Sequence, residues 1–356
     1  MIRFAWLQSR TQATVAGVAV AVVALITVIT GPHLGHLYAT TLASCRAHPG
    51  CSTTFNPFSN DDYALFGALG ALVLVMPAIA GLFWGAPLVA RELESGTYRL
   101  AWTQSVGRSR WLASKIAVLG LVSLTASGLL SLAVSWSARS IDLTKADRFR
   151  YFDQRDIVPL GYAAFAFAVG VVMGLLIRRV LPALGASLAA FVAGRFVEEE
   201  WLRSHLAAAT HSTVALSDAS GLSFTVDPGV GGVVFQAGAP HVQNSYLLSA
   251  QVVDRTGHVA TGASLHQFIL RYCPSIAQGP QGGAGATPAA AASHSPADPS
   301  AFNACIGRLS AVYHESVSYI PPVKYWSMQW AETGIFLVVA LALVALALWA
   351  VRRLPS

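Results

Sequence analysis

The chain has 356 residues, of which 54% are hydrophobic and only 11% charged, and its mean hydropathy is +0.54. A soluble domain carries roughly 25% charged residues, so the composition excludes a water-soluble globular protein and indicates a membrane protein. The net charge of +6 is no argument for nucleic acid, because much of it lies at the ends of apolar runs, where Lys and Arg set orientation.

Residues 1–10 form a basic and aromatic leader, with Arg3, Trp6 and Arg10 placed as an interfacial anchor. The first apolar run, residues 13–30, is unbroken by charge and long enough to cross a ~30 Å hydrocarbon core. It lacks a small-residue cleavage site and reads as a span, not as a cleaved signal. A polar loop is expected from Pro32 to Asp62, holding several histidines and the first cysteine pair. The second span, 63–86, contains Pro77 and the pair Gly81 and Gly85, four residues apart on one face. That spacing lets another helix approach closely, and it is equally compatible with ordinary glycine tolerance in a membrane helix.

Residues 87–111 form the most polar connector between two apolar runs. Pro87 suits a first helical position and Gly96 a left-handed stop, so a short helix is expected between them. Leu88, Val89 and Leu93 share one face of it, with Arg91, Glu92 and Glu94 off that face. On chemistry alone this helix either presses on a soluble partner or lies among the lipid headgroups as a plain connector. The third span covers 112–138, with Ser123, Ser127, Gly128 and Ser131 suited to helix packing. Residues 139–156 carry five basic residues and four aspartates, a balance that predicts a solvated surface loop.

The fourth and fifth spans, 157–177 and 180–197, are joined by Arg178-Arg179 and form a tight antiparallel pair. Arg195 lies about one turn from the end of the fifth, and Glu198 to Arg203 are expected to carry the helix into water. Residues 198–325 form a small α+β extracytoplasmic region. Strand-like content occurs at Gly221–Val226 and Gln243–Val253, with a turn at Asp254-Arg255-Thr256-Gly257. The Gly/Ala/Pro stretch 278–300 is expected to be flexible. Residues 326–356 supply the sixth span and a tail closed by Arg352-Arg353. The fold class expected is therefore an all-α polytopic membrane protein of six transmembrane helices.

Six spans put both termini on one side. The leader, residues 91–115, the Arg178-Arg179 turn and the tail then hold eleven of the 23 basic residues but two of the 17 acidic ones. This places them, and both termini, in the cytoplasm. The cysteines fall outside, and disulfides Cys45–Cys51 and Cys273–Cys305 are the natural pairing in an oxidising compartment. Arg195 and Glu332 lie at similar depth near the outer boundary. An ionisable group there is costly unless paired, so they either pair across the fifth and sixth spans or Arg195 reaches out to Glu198 or Glu199.

No G-x-x-x-x-G-K-[ST] loop and no G-x-S-x-G elbow occurs, so neither an ATP cradle of that type nor that nucleophilic centre is present. His33 and His36 have metal-compatible spacing but read as solvated side chains, and no metal site or cofactor is expected. Two functional readings follow. One is a permease powered by a separate ATPase; the other is a membrane-anchored sensor or interaction protein acting through its extracytoplasmic region.

The run Arg91-Glu92-Leu93-Glu94-Ser95-Gly96-Thr97-Tyr98-Arg99-Leu100-Ala101-Trp102-Thr103-Gln104-Ser105, followed by Arg108 and Arg110-Trp111, resembles permease subunits of actinobacterial ABC-type exporters. The resemblance extends through Val158-Pro159-Leu160-Gly161-Tyr162, Arg195, Trp201-Leu202-Arg203, and Tyr325-Trp326 with Gln329 and Glu332. Position 107 departs from it: Gly107 stands where a Ser or Thr is usual, so the cap there has no side-chain oxygen. The resemblance implies a six-span exporter subunit of the bacterial plasma membrane, with ATP and Mg held by a partner chain. It also implies that the segment containing Arg91, Glu92, Leu93, Glu94, Gly96, Thr97 and Arg99 contacts a cytoplasmic ATPase. Six spans are few for a closed path, so a second permease copy or a related permease is expected, surrounded by the lipid bilayer and without nucleic acid.

Overall fold

A computed structural model describes residues 2–46, 58–96, 107–142, 148–215, 223–227, 232–236, 245–260, 264, 267–268, 271–272 and 299–353. The chain divides into two compact units, residues 1–207 with 323–356, and residues 208–322.

The first unit is a bundle of six helices long and apolar enough to cross a membrane. They are α1 (Ile2–Arg46), α2 (Asn60–Ser95), α3 (Arg108–Ser137), α4 (Val158–Ile177), α5 (Val180–Val197) and α6 (Tyr325–Arg352). Helix α1 does not stop at Gly31-Pro32 but continues to Arg46 through the proline, so the polar loop expected from Pro32 begins much later. Proline is tolerated inside membrane helices because neighbouring groups re-satisfy the backbone it frees. Helix α2 opens on a capping box: Ser59 Oγ accepts from Asp62 N at 3.2 Å, and Asp62 Oδ2 accepts from Ser59 N at 2.9 Å.

Close approach by glycine fixes how α2 meets α4. Gly81 and Gly85 of α2 face Gly170 and Gly174 of α4, backbone against backbone. A Cβ at Gly81 would lie 2.6 Å from the Ala166 carbonyl oxygen, and one at Gly85 2.6 Å from that of Phe167. Of the two readings of the Gly81/Gly85 spacing, the structure takes close packing. The same stretch, Ala80–Gly85, widens into π-helical turns. Pro87 follows two residues later; it lacks an N–H and its ring crowds the carbonyl one turn back, and a widened turn relieves both. Helix α4 is the most enclosed of the six, with Tyr162, Ala163, Ala166 and Val171 at 1% exposure or less. Apolar side chains such as Val18, Leu25, Leu132, Leu181 and Leu341 stay exposed around the bundle, as a lipid-facing surface requires.

The second unit contains a three-stranded antiparallel sheet of order β1-β5-β4, built from β1 (Thr210–Ala215), β4 (Tyr246–Asp254) and β5 (Tyr313–Ile320). Two further strands, β2 (Ser223–Asp227) and β3 (Gly232–Gln236), pair as an antiparallel hairpin, and a helix spans Pro299–Ser310. The turn expected at Asp254–Gly257 is present, with Gly257 at φ +86°. Asp254 Oδ1 accepts from Thr256 Oγ1 at 2.6 Å, Thr256 N at 2.8 Å and His258 N at 3.0 Å. The Thr256 hydroxyl first, then the backbone donors, hold this carboxyl below its usual pKa. On β5, Glu315 is fully buried on the same strand face as Val317, and neither carboxylate oxygen has a hydrogen-bond partner among the described residues. Burial pushes its pKa up.

Candidate functional site

The charged residues described in the helical bundle gather at its two ends. At one end, α2 closes with Ala86–Ser95 and stops at Gly96, whose φ of +72° is the left-handed stop expected there. This helix is the direct continuation of the second span. Leu88, Val89 and Ala90 are buried in the bundle, and Leu93 packs half-buried against its core. The apolar face of Leu88, Val89 and Leu93 is therefore spent on packing within the bundle itself. The carboxylates are also engaged within the chain. Glu92 pairs with Lys115 of α3, and Glu94 Oε2 accepts from Val180 N at 2.9 Å. Glu94 thus caps the first turn of α5, where a helix favours negative charge. Arg91 and Ser95 remain exposed, as does Arg110 on the first turn of α3. Gly107 opens α3 without a side-chain cap. Thr97 and Arg99 lie outside the described residues.

At the opposite end, the described parts of the expected solvated loop, residues 139–142 and 148–156, are packed against the bundle instead. A short helix, Arg139–Asp142, and 3₁₀ turns, Arg148–Gln154, form a strap that buries Phe149 and Phe152. Arg155, 2% exposed, makes a bidentate pair with Asp142 at 2.7 Å on both oxygens. Gln329 of α6 locks the strap to the start of α4. Its Oε1 accepts from Ile157 N and Val158 N at 3.2 and 3.1 Å, and its Nε2 donates to the Phe152 carbonyl at 3.0 Å.

Beneath the strap lies a buried ion cluster. Arg195 donates to Asp153 Oδ2 at 2.9 Å and to Glu198, and its guanidinium lies 3.8 Å over the Tyr162 ring. Arg203 Nε donates to Glu198 Oε1 at 3.0 Å and its Nη2 to Asp153. The Tyr162 hydroxyl donates to Glu332 Oε1, which lies 3.4 Å from Arg203 and 3.9 Å from Arg195. Glu198, Arg203 and Glu332 are nearly fully buried. Glu198 and Arg203 therefore do not lead into water: the helix widens into π turns over Glu198–Leu202 and these two side chains are buried, while Glu199, Glu200 and Trp201 stay exposed as expected. Arg195 and Glu332 do approach, but Glu198 and Asp153 are the nearer partners of Arg195. Three carboxylates face two guanidiniums, a formal balance of −1.

Residues 17–203, more than half of the chain, match the family described as ABC-2 membrane transporter related. The chain belongs to this family. No curated protein and no solved structure matches it. The ABC-2-related match spans the first five helices and ends at Arg203, so it contains every member of the ion cluster except Glu332. Family membership indicates an ABC-transporter permease, a transport subunit, and implies partnership with an ATPase subunit in general.

Asp153 and Arg155 are the cluster and strap residues that sequence reasoning missed; Tyr162 and Arg203 enter it only through the family resemblance, without a role, and Glu198 is the outward partner expected as an alternative for Arg195. The available signal was Phe149-Arg150-Tyr151-Phe152, aromatic residues inside a charged loop, which water does not favour. Cys45 lies near the end of α1 and Cys305 is buried in Pro299–Ser310, while Cys51 and Cys273 lie outside the described residues.

Proposed function

We propose that this ABC-2-related permease is the membrane subunit of an exporter driven by a separate cytoplasmic ATPase. In this reading it works as a pair of identical or related permeases with two ATPase subunits, in a bacterial plasma membrane with both termini cytoplasmic. The residues from Pro87 to Trp102 receive the ATPase. One observation carries this: the end of α2 is tied by Glu92 to α3 and by Glu94 to α5, while Arg91 and Ser95 stay exposed. A push delivered there reaches three spans at once instead of dissipating in a slack loop. Arg91 and Arg110 then offer exposed basic charge to an ATPase, Glu92 acts by holding the helix in place, and the exposed Glu94 is engaged through its bond to Val180 N.

The concentration of basic residues at this end supports a cytoplasmic orientation, and the absence of a phosphate-binding loop in the sequence supports an external energy source. The test is the double reversal Arg91→Glu with Arg110→Glu. It is expected to abolish copurification of the ATPase while leaving membrane insertion intact. Survival of the complex with coupled ATP hydrolysis would refute docking at this surface.

A further inference from the structure

Between α1, α3, the strap and the start of α6 lies a cleft of about 570 Å³, within the ~300–1,000 Å³ range of small-molecule sites. We infer that it binds an anionic amphiphile from the bilayer, with the acyl chain along α1 and α3 and the acidic headgroup at the strap. The inference concerns the bundle alone and does not require the ATPase coupling proposed above.

The two halves of the cleft differ in chemistry. Its apolar wall is formed by Val28, Leu129, Leu132 and Trp136, with Trp326 facing them, and all five are substantially exposed, Leu132 by 65%. The neutral polar groups on this wall are already consumed. Thr27 Oγ1 donates back to the Val23 and Ala24 carbonyls, each at 3.0 Å, and Ser135 Oγ accepts from Asp156 N at 2.8 Å. The wall therefore offers a ligand hydrocarbon contact and two indole rings, the side chains that favour the boundary between lipid and headgroup.

The other half is cationic. Arg139, Arg148 and Arg155 reach the cleft together with Asp156. Arg155 is satisfied by Asp142 and by Asp156, the latter at 3.4 Å. Arg148 shares Asp142, at 3.7 Å. Arg139 is exposed and makes no ion pair among the described residues. Among the described residues, three guanidiniums against the carboxylates of Asp142 and Asp156 leave a formal charge of +1 at the head of the cleft. Guanidinium forks recognise phosphate and carboxylate oxygens, and the net charge favours an acidic headgroup over a zwitterionic one.

The test uses the full chain in phosphatidylcholine nanodiscs containing brominated phosphatidylglycerol or, in parallel, brominated phosphatidylcholine. The fluorescence component lost in a Trp136→Phe, Trp326→Phe variant isolates the two cleft indoles. The brominated acidic lipid is expected to quench that component at several-fold lower mole fraction than the zwitterionic one. Arg139→Gln, a change at an exposed and unpaired position, is expected to reduce the preference on the order of fivefold, and adding Arg148→Gln to remove it. Equal quenching by the two lipids would overturn the inference, and so would a preference unchanged by Arg139→Gln.

Discussion

Removing a cation from the buried cluster and removing an anion have opposite consequences. Arg203 lies against Asp153, Glu198 and Glu332, with its Nη2 2.8 Å from Glu198 and 3.4 Å from Glu332. Arg203→Met leaves three carboxylates against Arg195 alone, in a site where Glu198 and Glu332 are at most 1% exposed. Stranding buried charge in this way costs about 3–5 kcal/mol. At roughly 2 °C per kcal/mol for a chain of this size, the apparent midpoint of thermal unfolding falls by about 6–10 °C. Glu332→Gln, by contrast, removes the surplus negative charge. The glutamine oxygen still accepts from the Tyr162 hydroxyl, and Glu332 Oε2 has no hydrogen-bond partner among the described residues to lose. Its cost is therefore expected to stay below about 1.5 kcal/mol, the scale of one ordinary hydrogen bond. In the double variant, Glu332→Gln is expected to restore about 1–3 kcal/mol of what Arg203→Met removes. The assay is thermal unfolding of the full chain in detergent at one scan rate, read by intrinsic fluorescence. If Glu332→Gln proves as damaging as Arg203→Met, or the double variant is additive, the charge accounting for this cluster is wrong.

Gly170→Ala is expected to destabilise the bundle by about 1–3 kcal/mol, because its Cβ would run into the Gly81 carbonyl, whereas Gly67→Ala, with open space around it, stays near neutral in the same assay. The buried Glu315 carboxyl has a folded-state pKa above its unfolded value. Its stabilising contribution is therefore full below the unfolded pKa and is lost as pH rises through the folded one. Amide exchange of β4 and β5 in the full chain should slow as pH is lowered from 7 toward 4, after correction for intrinsic rates, and Glu315→Gln should flatten that dependence; an unchanged profile would refute it. Non-reducing peptide mapping is expected to recover Cys45–Cys51 and Cys273–Cys305, and free thiols at all four positions would remove that pairing.

The six spans and their order were legible because ~20 apolar residues in a row have few other fates. Gly96, the Asp254–Gly257 turn and the glycine pair of α2 were legible because each states a local backbone demand. The ion cluster was not legible. Arg195 with Glu198 is a local i,i+3 pair, but the shared partner of Arg195 and Arg203, Asp153, lies 42 and 50 residues away in the chain, and Glu332 farther still from Arg203. No window-based reading can see such pairing. The role of Glu92 and Glu94 was hidden for the same reason: their partners, Lys115 and the Val180 amide, belong to other helices. Pro32 misled in the opposite direction, since a proline that ends a soluble helix can be absorbed within a membrane one.

The central claim is that the exposed end of α2 receives an ATPase. It is tested most directly by placing a photo-crosslinking residue at position 91 in the full complex, with position 139, exposed at the opposite end of the bundle, as control. The account predicts a crosslink to the ATPase from position 91 and none from position 139. An ATPase that copurifies with the permease yet crosslinks from position 139 and not from position 91 would contradict it.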